Sequence, residues 1–304
     1  MLKTGVIGLG MMGQHHVRVY KELGCDVIGI ADANPERARE IGEKYQVPYY
    51  TDYHSLMGNI DAVSIAVPTS LHHDVSLEFI NSGVHCLIEK PIASTLEEAE
   101  EIVKAVEENH VKALIGHIER FNPAVLKLKE LLDEGRLGKL MIISTRRVGP
   151  FQPRIRDVGI IIDIGTHDID AARFLTGKEP IGVYAKAGRF KHTKEDHALI
   201  MLDFGDSAAS LEVNWFTPHK VRTLVATGSE GIAYLDYIKQ ELVIHNGVNE
   251  DITKIEKKEP LAVEIQHFIT CIEYDKPPLI NAREGMKDLD VALKASEKVT
   301  DVQR

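Results

Sequence analysis

Three groups of residues in this chain carry side chains suited to chemistry, at spacings that could use them. The first is Gly8-Leu9-Gly10-Met11-Met12-Gly13, which fits G-x-G-x-x-G, followed by Asp32. In this pattern Gly8 permits a tight turn, Gly10 lets a pyrophosphate approach the backbone, and Gly13 lets a helix pack closely. The phosphates would meet the free N–H groups of Met11, Met12 and Gly13 and the positive end of the helix dipole. A carboxylate at Asp32, at the end of the next strand, can accept hydrogen bonds from the adenosine ribose hydroxyls. It would also repel a 2′-phosphate, so it favours NAD over NADP. Arg37 is close enough in sequence to soften that preference. A P-loop is excluded because no Gly-Lys-Ser/Thr closes the turn.

The second group is two loops, Pro68-Thr69-Ser70 and Glu89-Lys90-Pro91. Each follows a strand-like run, and in open α/β sheets ligands sit beyond the carboxyl ends of strands. A lysine there can hydrogen-bond a substrate hydroxyl, or act as a base if its proton is lost. The competing reading is a surface lysine paired with Glu89. His72, just after the first loop, is a candidate neighbour of the nicotinamide.

The third group is Asp163-Ile-Gly-Thr-His167-Asp168-Ile-Asp170. On a helix Asp163, His167 and Asp170 share one face, while Ile164, Ala171 and Leu175 share another. A neutral histidine held by carboxylates can move a proton near pH 7. Asp and His at this spacing could also ligate a metal. No third strong ligand is evident and hydride transfer needs none, so we expect no metal. Arg120 and Asn122 could face a substrate. Arg154 and Arg156, in an irregular stretch, could bind a phosphorylated one. The remaining histidines, including the pair His15-His16, show no metal spacing and are expected to be exposed or locally satisfied.

These groups need a scaffold. The first 120 residues alternate apolar strand-like runs (Lys3 to Leu9, Asp26 to Asp32, Ala62 to Val67, His85 to Glu89, Ala113 to Gly116) with helical segments. That alternation predicts βαβ units and a parallel sheet. Residues 121–304 carry strand-like runs with hairpin-type links at Gly-Asp and Gly-Ser-Glu-Gly, plus helices over Pro123 to Glu134, about Ile164 to Leu175, Leu261 to Tyr274 and Ala282 to Lys298. This predicts a largely antiparallel sheet with helices on one face. We therefore divide the chain into a dinucleotide-binding domain, 1–120, and a substrate and oligomerisation domain, 121–304.

Composition narrows the function. The chain has 304 residues and a formal charge of −10, which argues against a nucleic-acid partner. No run approaches the roughly 18 apolar residues of a membrane span. The N-terminus turns glycine-rich and polar too soon for a signal peptide. Cys25, Cys86 and Cys271 are odd in number and far apart, as in buried cytosolic thiols. We expect a cytoplasmic protein.

Taken together, GLGMMG, Asp32, PTSLH, EKP and DIGTHDID, in this order, resemble the Gfo/Idh/MocA oxidoreductase family over essentially the whole chain. The resemblance implies an α/β protein: an N-terminal Rossmann domain, then an α/β domain with an open, mainly antiparallel sheet used in dimer or tetramer contacts. It implies NAD(P)-dependent redox chemistry on sugars or their derivatives. By motif match, Lys90 and His167 correspond to the family's proton-handling residues, Asp163 to its supporting carboxylate, and Glu89-Lys90-Pro91 to its nicotinamide-side motif. GHIERFNPAV, Gly116 to Val125, looks most like members acting on UDP-N-acetylated hexoses, including UDP-N-acetylglucosamine 3-dehydrogenases. The expected activity is thus oxidation of a sugar-nucleotide hydroxyl by NAD. Alternatives are a dehydrogenase of a free sugar or a cyclitol such as myo-inositol, an NAD-dependent glycosidase, and a non-catalytic dinucleotide-binding regulator.

Overall fold

A computed structural model describes residues 1–151, 158–247 and 249–297. The described residues divide into two compact units: residues 1–117 with 261–289, and those within 118–260 with 290–297. The expected split put everything after 120 into one domain; the structure returns 261–289 to the first unit.

The first unit is built on six parallel strands: β1 (Lys3–Ile7), β2 (Asp26–Ala31), β3 (Tyr49–Tyr50), β4 (Ala62–Ile65), β5 (His85–Glu89) and β6 (Ala113–Gly116). Their spatial order is β3-β2-β1-β4-β5-β6, and every pairing is parallel. β4 and β6 are buried along their whole length, as their unbroken apolar runs require of strands covered on both faces. The crossover helices are α1 (Met11–Glu22), α2 (Pro35–Tyr45), α3 (His72–Asn81) and α4 (Leu96–Glu108). Their starts follow from local chemistry. The Asn34 side chain accepts from the amides of Glu36 and Arg37, with Pro35 as the first helical residue of α2. The Thr95 hydroxyl accepts from the Glu98 amide, 3.2 Å, and the Glu98 carboxylate accepts from Ser94, 2.9 Å, close to a capping box.

Among its described residues the second unit carries eight strands: β7 (Leu140–Pro150), β8 (Gly182–Gly188), β9 (His197–Asp203), β10 (Ala208–Asn214), β11 (Phe216–Gly228), β12 (Ile232–Asp236), β13 (Glu241–Asn246) and β14 (Asn249–Thr253). Their order is β14-β13-β12-β11-β7-β10-β9-β8. The sheet is antiparallel except where β10 lies parallel to β7. Helices α5 (Pro123–Asp133) and α6 (Thr166–Thr176) pack on one face through Leu128, Ile169 and Leu175 against Ile200, Leu211 and Leu224. Period-two alternation leaves the other face open, with Tyr184, Leu199, Met201 and Tyr234 all exposed. Two further helices, α7 (Pro260–Glu273) and α8 (Ala282–Glu297), close the chain. No helix of the described residues is long and apolar enough to cross a membrane.

The return of 261–289 has a concrete basis. The Ile115 amide of β6 donates to the Ile280 carbonyl, 2.9 Å, and Leu114 pairs antiparallel with Asn281. Lys112 pairs with Asp275 at 2.5 Å. Gly285 faces Ile115 so closely that an added Cβ would sit 2.6 Å from Ile115 Cγ1. These residues are remote in sequence, and no periodicity announces the pairing. Gly285→Val is expected to lower the stability of the full chain by about 1–3 kcal/mol, the usual range for overpacking, measured by urea unfolding; an unchanged midpoint would show that the site relaxes freely.

Candidate active site

The glycine turn is sterically obligatory at two positions and open at the third. Gly8 has φ +81°, and a Cβ there would lie 2.5 Å from the Ala66 carbonyl oxygen. A Cβ on Gly13 would lie 1.8 Å from the Gly8 carbonyl oxygen, so only glycine lets α1 rest on the turn. Gly10 has nothing within 4 Å of an added Cβ. It is the N-cap of α1 and offers no side-chain cap, leaving the first-turn amides of Met11, Met12 and Gly13 to an external acceptor. These features fit a dinucleotide pyrophosphate.

Beside the turn lies a cavity of about 290 Å³ lined by Gly8, Asp32, Ala33, Thr51, Asp52, Tyr53, Pro68 and Leu71, among others. Asp32 is held rigidly: one carboxylate oxygen accepts from the Leu9 amide, 2.7 Å, and the other from Asn34, 2.9 Å. Arg37 donates from Nε to the Leu9 carbonyl, 2.6 Å, and pairs with Glu40 at 2.8 Å. Its guanidinium therefore braces the turn. Sequence reasoning missed Thr51, Asp52 and Tyr53, which line the cavity just after the two-residue strand β3, too short to register as a pattern. Asp52 caps the turn after it through the His54 amide. Hydrogen bonds from His54 hold its carboxyl below the usual range.

The Glu89-Lys90-Pro91 loop ends β5, with a cis Lys90–Pro91 bond and Lys90 half-buried. Two of the expected cofactor contacts turn inward. His72 is 1% exposed, with Nδ1 2.8 Å from the Pro91 carbonyl and Nε2 3.0 Å from the Val67 carbonyl. Burial lowers its pKa, and a neutral ring has one N–H, so it serves one carbonyl at a time. It clasps two loops together and does not line the cavity. Glu89 also points inward, with Oε1 3.0 Å from His16 Nε2.

In the second unit, a π-helical turn over Ile161–Gly165 precedes α6, where a regular helix from about Ile164 is expected. Asp163 lies in the π turn and His167 in the first turn of α6, both half-buried. Such turns often mark functional sites. Asp170 departs from the expected shared role: it is fully buried and accepts from Arg120 Nε at 2.7 Å. Arg120 is 4% exposed, with its guanidinium 5.2 Å from the Phe174 ring centre. Asn122 is 2% exposed; it caps α5 through the Ala124 amide and donates to the Tyr237 carbonyl, 3.1 Å. Both side chains are engaged by partners within the second unit. Arg154 and Arg156 lie outside the described residues.

Under α6 runs an ion network that the sequence did not reveal. Buried Arg147 donates to Asp168, 2.9 Å, and Glu119, 2.6 Å, and stacks over Tyr237 at 4.7 Å. Burial opposes its charge, but the carboxylates of Asp168 and Glu119 outweigh it and push the pKa up. Removing one partner of such a pair typically costs about 3–5 kcal/mol.

The model for the "Oxidoreductase family, NAD-binding Rossmann fold" matches residues 2–117, and that for the "GFO/IDH/MocA C-terminal domain" matches residues 125–234. The chain belongs to the GFO/IDH/MocA oxidoreductase family. Its cofactor is NAD. Among relatives in the family, UDP-N-acetylglucosamine 3-dehydrogenase of Acidithiobacillus ferrooxidans is 30% identical over 96% of this chain and 95% of its own. The scyllo-inositol 2-dehydrogenase (NAD(+)) of Bacillus subtilis is 28% identical over 97% and 93%. A solved structure of the former superposes with a TM-score of 0.92 at 31% identity, over 98% of this chain and 97% of that one. Levoglucosan dehydrogenase in complex with NADH and levoglucosan shares the fold, with a TM-score of 0.88 at 22% identity over 98% and 97%.

Gly10 and Gly13 separate cofactor binding from folding. Gly13→Ala is expected to lower the melting temperature and abolish NAD binding together. Gly10→Ala should melt like the parent yet bind NAD at least about tenfold more weakly, 1.4 kcal/mol, by calorimetry; parental affinity would remove Gly10 from the cradle.

Proposed function

We propose that this protein oxidises a secondary hydroxyl of a sugar nucleotide with NAD, and that C3 of UDP-N-acetylglucosamine is the carbon oxidised. The observation that carries the reading is the end-to-end likeness to the A. ferrooxidans UDP-N-acetylglucosamine 3-dehydrogenase. The sequence GHIERFNPAV supports it. The second reading, a free cyclitol, draws on the inositol dehydrogenases at 28% identity.

In this reading the amides after Gly10 hold the pyrophosphate and Asp32 the adenosine ribose. Bound NAD supplies the hydride acceptor. The carbinol carbon gives up its hydrogen with the electron pair, and the hydroxyl proton passes to Lys90 or His167, leaving a ketone. Asp163, four residues before His167, keeps that imidazole oriented and offsets the positive charge that forms on it. A positioned base contributes about 10²–10⁴-fold.

Self-association is the second part of the proposal: a homodimer or homotetramer formed through the open face of the second sheet. Tyr184, Met201, Ser210, Ser144, Val225 and Tyr234 stand in one cross-strand row on that face. Tyr184 is 57% exposed and Met201 47%, an apolar patch of the kind that marks an interface.

Four measurements test these statements. NADH formation is read at 340 nm with UDP-sugars, free hexoses and myo-inositol; turnover of a free polyol alone would sink the sugar-nucleotide reading. Lys90→Ala should cut turnover by about 10²–10⁴-fold while NAD still binds, and Asp32→Ala should weaken NAD more than NADP. Light scattering should give a mass above that of one chain, reduced by Met201→Lys with Tyr234→Lys; a monomeric parent refutes the interface.

A further inference from the structure

Behind the glycine turn lies a chain of four polar side chains. Tyr20, Ser64 and His16 are each 0% exposed and Glu89 is 9%. The Tyr20 hydroxyl is 2.9 Å from Ser64 Oγ, Ser64 Oγ is 3.0 Å from His16 Nδ1, and His16 Nε2 is 3.0 Å from Glu89 Oε1. Burial holds Tyr20 as a phenol by raising its pKa, so Tyr20 donates to Ser64. Ser64 Oγ links the Tyr20 hydroxyl to His16 Nδ1, and the Glu89 carboxylate accepts from His16 Nε2.

The chain joins two places that matter for reaction. His16 sits on α1, one turn beyond Gly13 and the amides of the phosphate cradle. Glu89 is the last residue of β5, directly before Lys90. We propose that His16 is a positioning residue, tying the cofactor-binding helix to the strand end that carries Lys90 by way of an ionised Glu89. Burial pushes Glu89 up, but the His16 hydrogen bond, with the charges of His16 and Lys90, holds it below its ordinary value. The groups facing it are His16 from α1, His72 from α3 and the adjacent Lys90. From β6 it meets Gly116, where a Cβ would come to 3.2 Å of Glu89 Oε2. Without the imidazole, burial is left as the main influence and the carboxyl shifts upward. Glu89 then takes a proton as pH falls, and the counter-charge beside Lys90 is lost on the acid side.

The inference rests on the dehydrogenase reading, so its first measurement uses neither substrate nor NAD. The ¹³C carboxyl signal of Glu89, assigned by its loss in Glu89→Gln, is followed against pH in the full chain. Its protonation step should lie at higher pH in His16→Ala than in the parent, as expected for a buried acid without its donor. In turnover of whichever alcohol the substrate panel identifies, His16→Ala should lose about 10- to 100-fold in kcat, as small displacements of a catalytic group do. KM for the alcohol should move much less, and kcat should carry the same extra pH dependence. His16→Gln, which can still offer an N–H to Glu89, should recover part of both effects; it and Glu89→Gln serve if the alanine variant does not fold. The same Glu89 titration in parent and variants, or a lower melting temperature with kcat and its pH profile unchanged, would overturn the proposal. A parent that turns over no alcohol while Glu89 still shifts would instead refute the dehydrogenase reading.

Discussion

The first unit depends on one close approach: α1 against the turn that follows β1. With 1.8 Å between the Gly8 carbonyl oxygen and a Cβ built on Gly13, no side chain can intervene. That contact aims the first-turn amides out of the protein and, one turn later, brings His16 inward over β4 and β5. Helix α1 therefore serves two ends at once. Its start presents donors to an anion, and its middle carries the imidazole that meets Glu89. Leu9, in the turn between β1 and α1, is gripped at its amide by Asp32 and at its carbonyl by Arg37.

Both units place ionised groups in low-dielectric surroundings next to a residue expected to do chemistry. In the first, Glu89 is held by His16 beside Lys90. In the second, Arg147, Asp168 and Glu119 lie beneath the helix that carries His167. Buried ions are weak contributors to net stability, because desolvation consumes most of the Coulombic gain. Their value here is directional. A charge-assisted hydrogen bond fixes a side chain more tightly than apolar packing does, and it fails abruptly when one partner is lost. The Asp170–Arg120 pair extends the same device along α6.

Much of the first unit was legible because its signals are local. A glycine turn, the strand before it, the helix after it and the acid ending the next strand lie within about 30 residues, so spacing reports geometry directly. The lysine loop was legible for a related reason, since strand ends in a parallel sheet are where ligands sit. The second unit was legible as alternating strands, but not in its order, where β7 pairs with both β10 and β11. Arg120 and Asn122 show what spacing leaves out: both are buried by partners, Asp170 and Tyr237, that lie 50 and 115 residues away.

The fold class was readable from the residues alone, because alternating strand and helix patterns and a glycine turn are short-range signals. The family, and Lys90, Asp163 and His167 as the residues to test, came from the resemblance of local motifs to that family. It took the packed chain to show that 261–289 rejoin the first unit, that a π turn precedes His167, and that His16 differs from its neighbour His15 in being buried against Glu89. Each of these is a pairing between distant residues, or a choice between two faces of a helix. Such choices are made by which surfaces can be desolvated together, and that is a property of the packed chain.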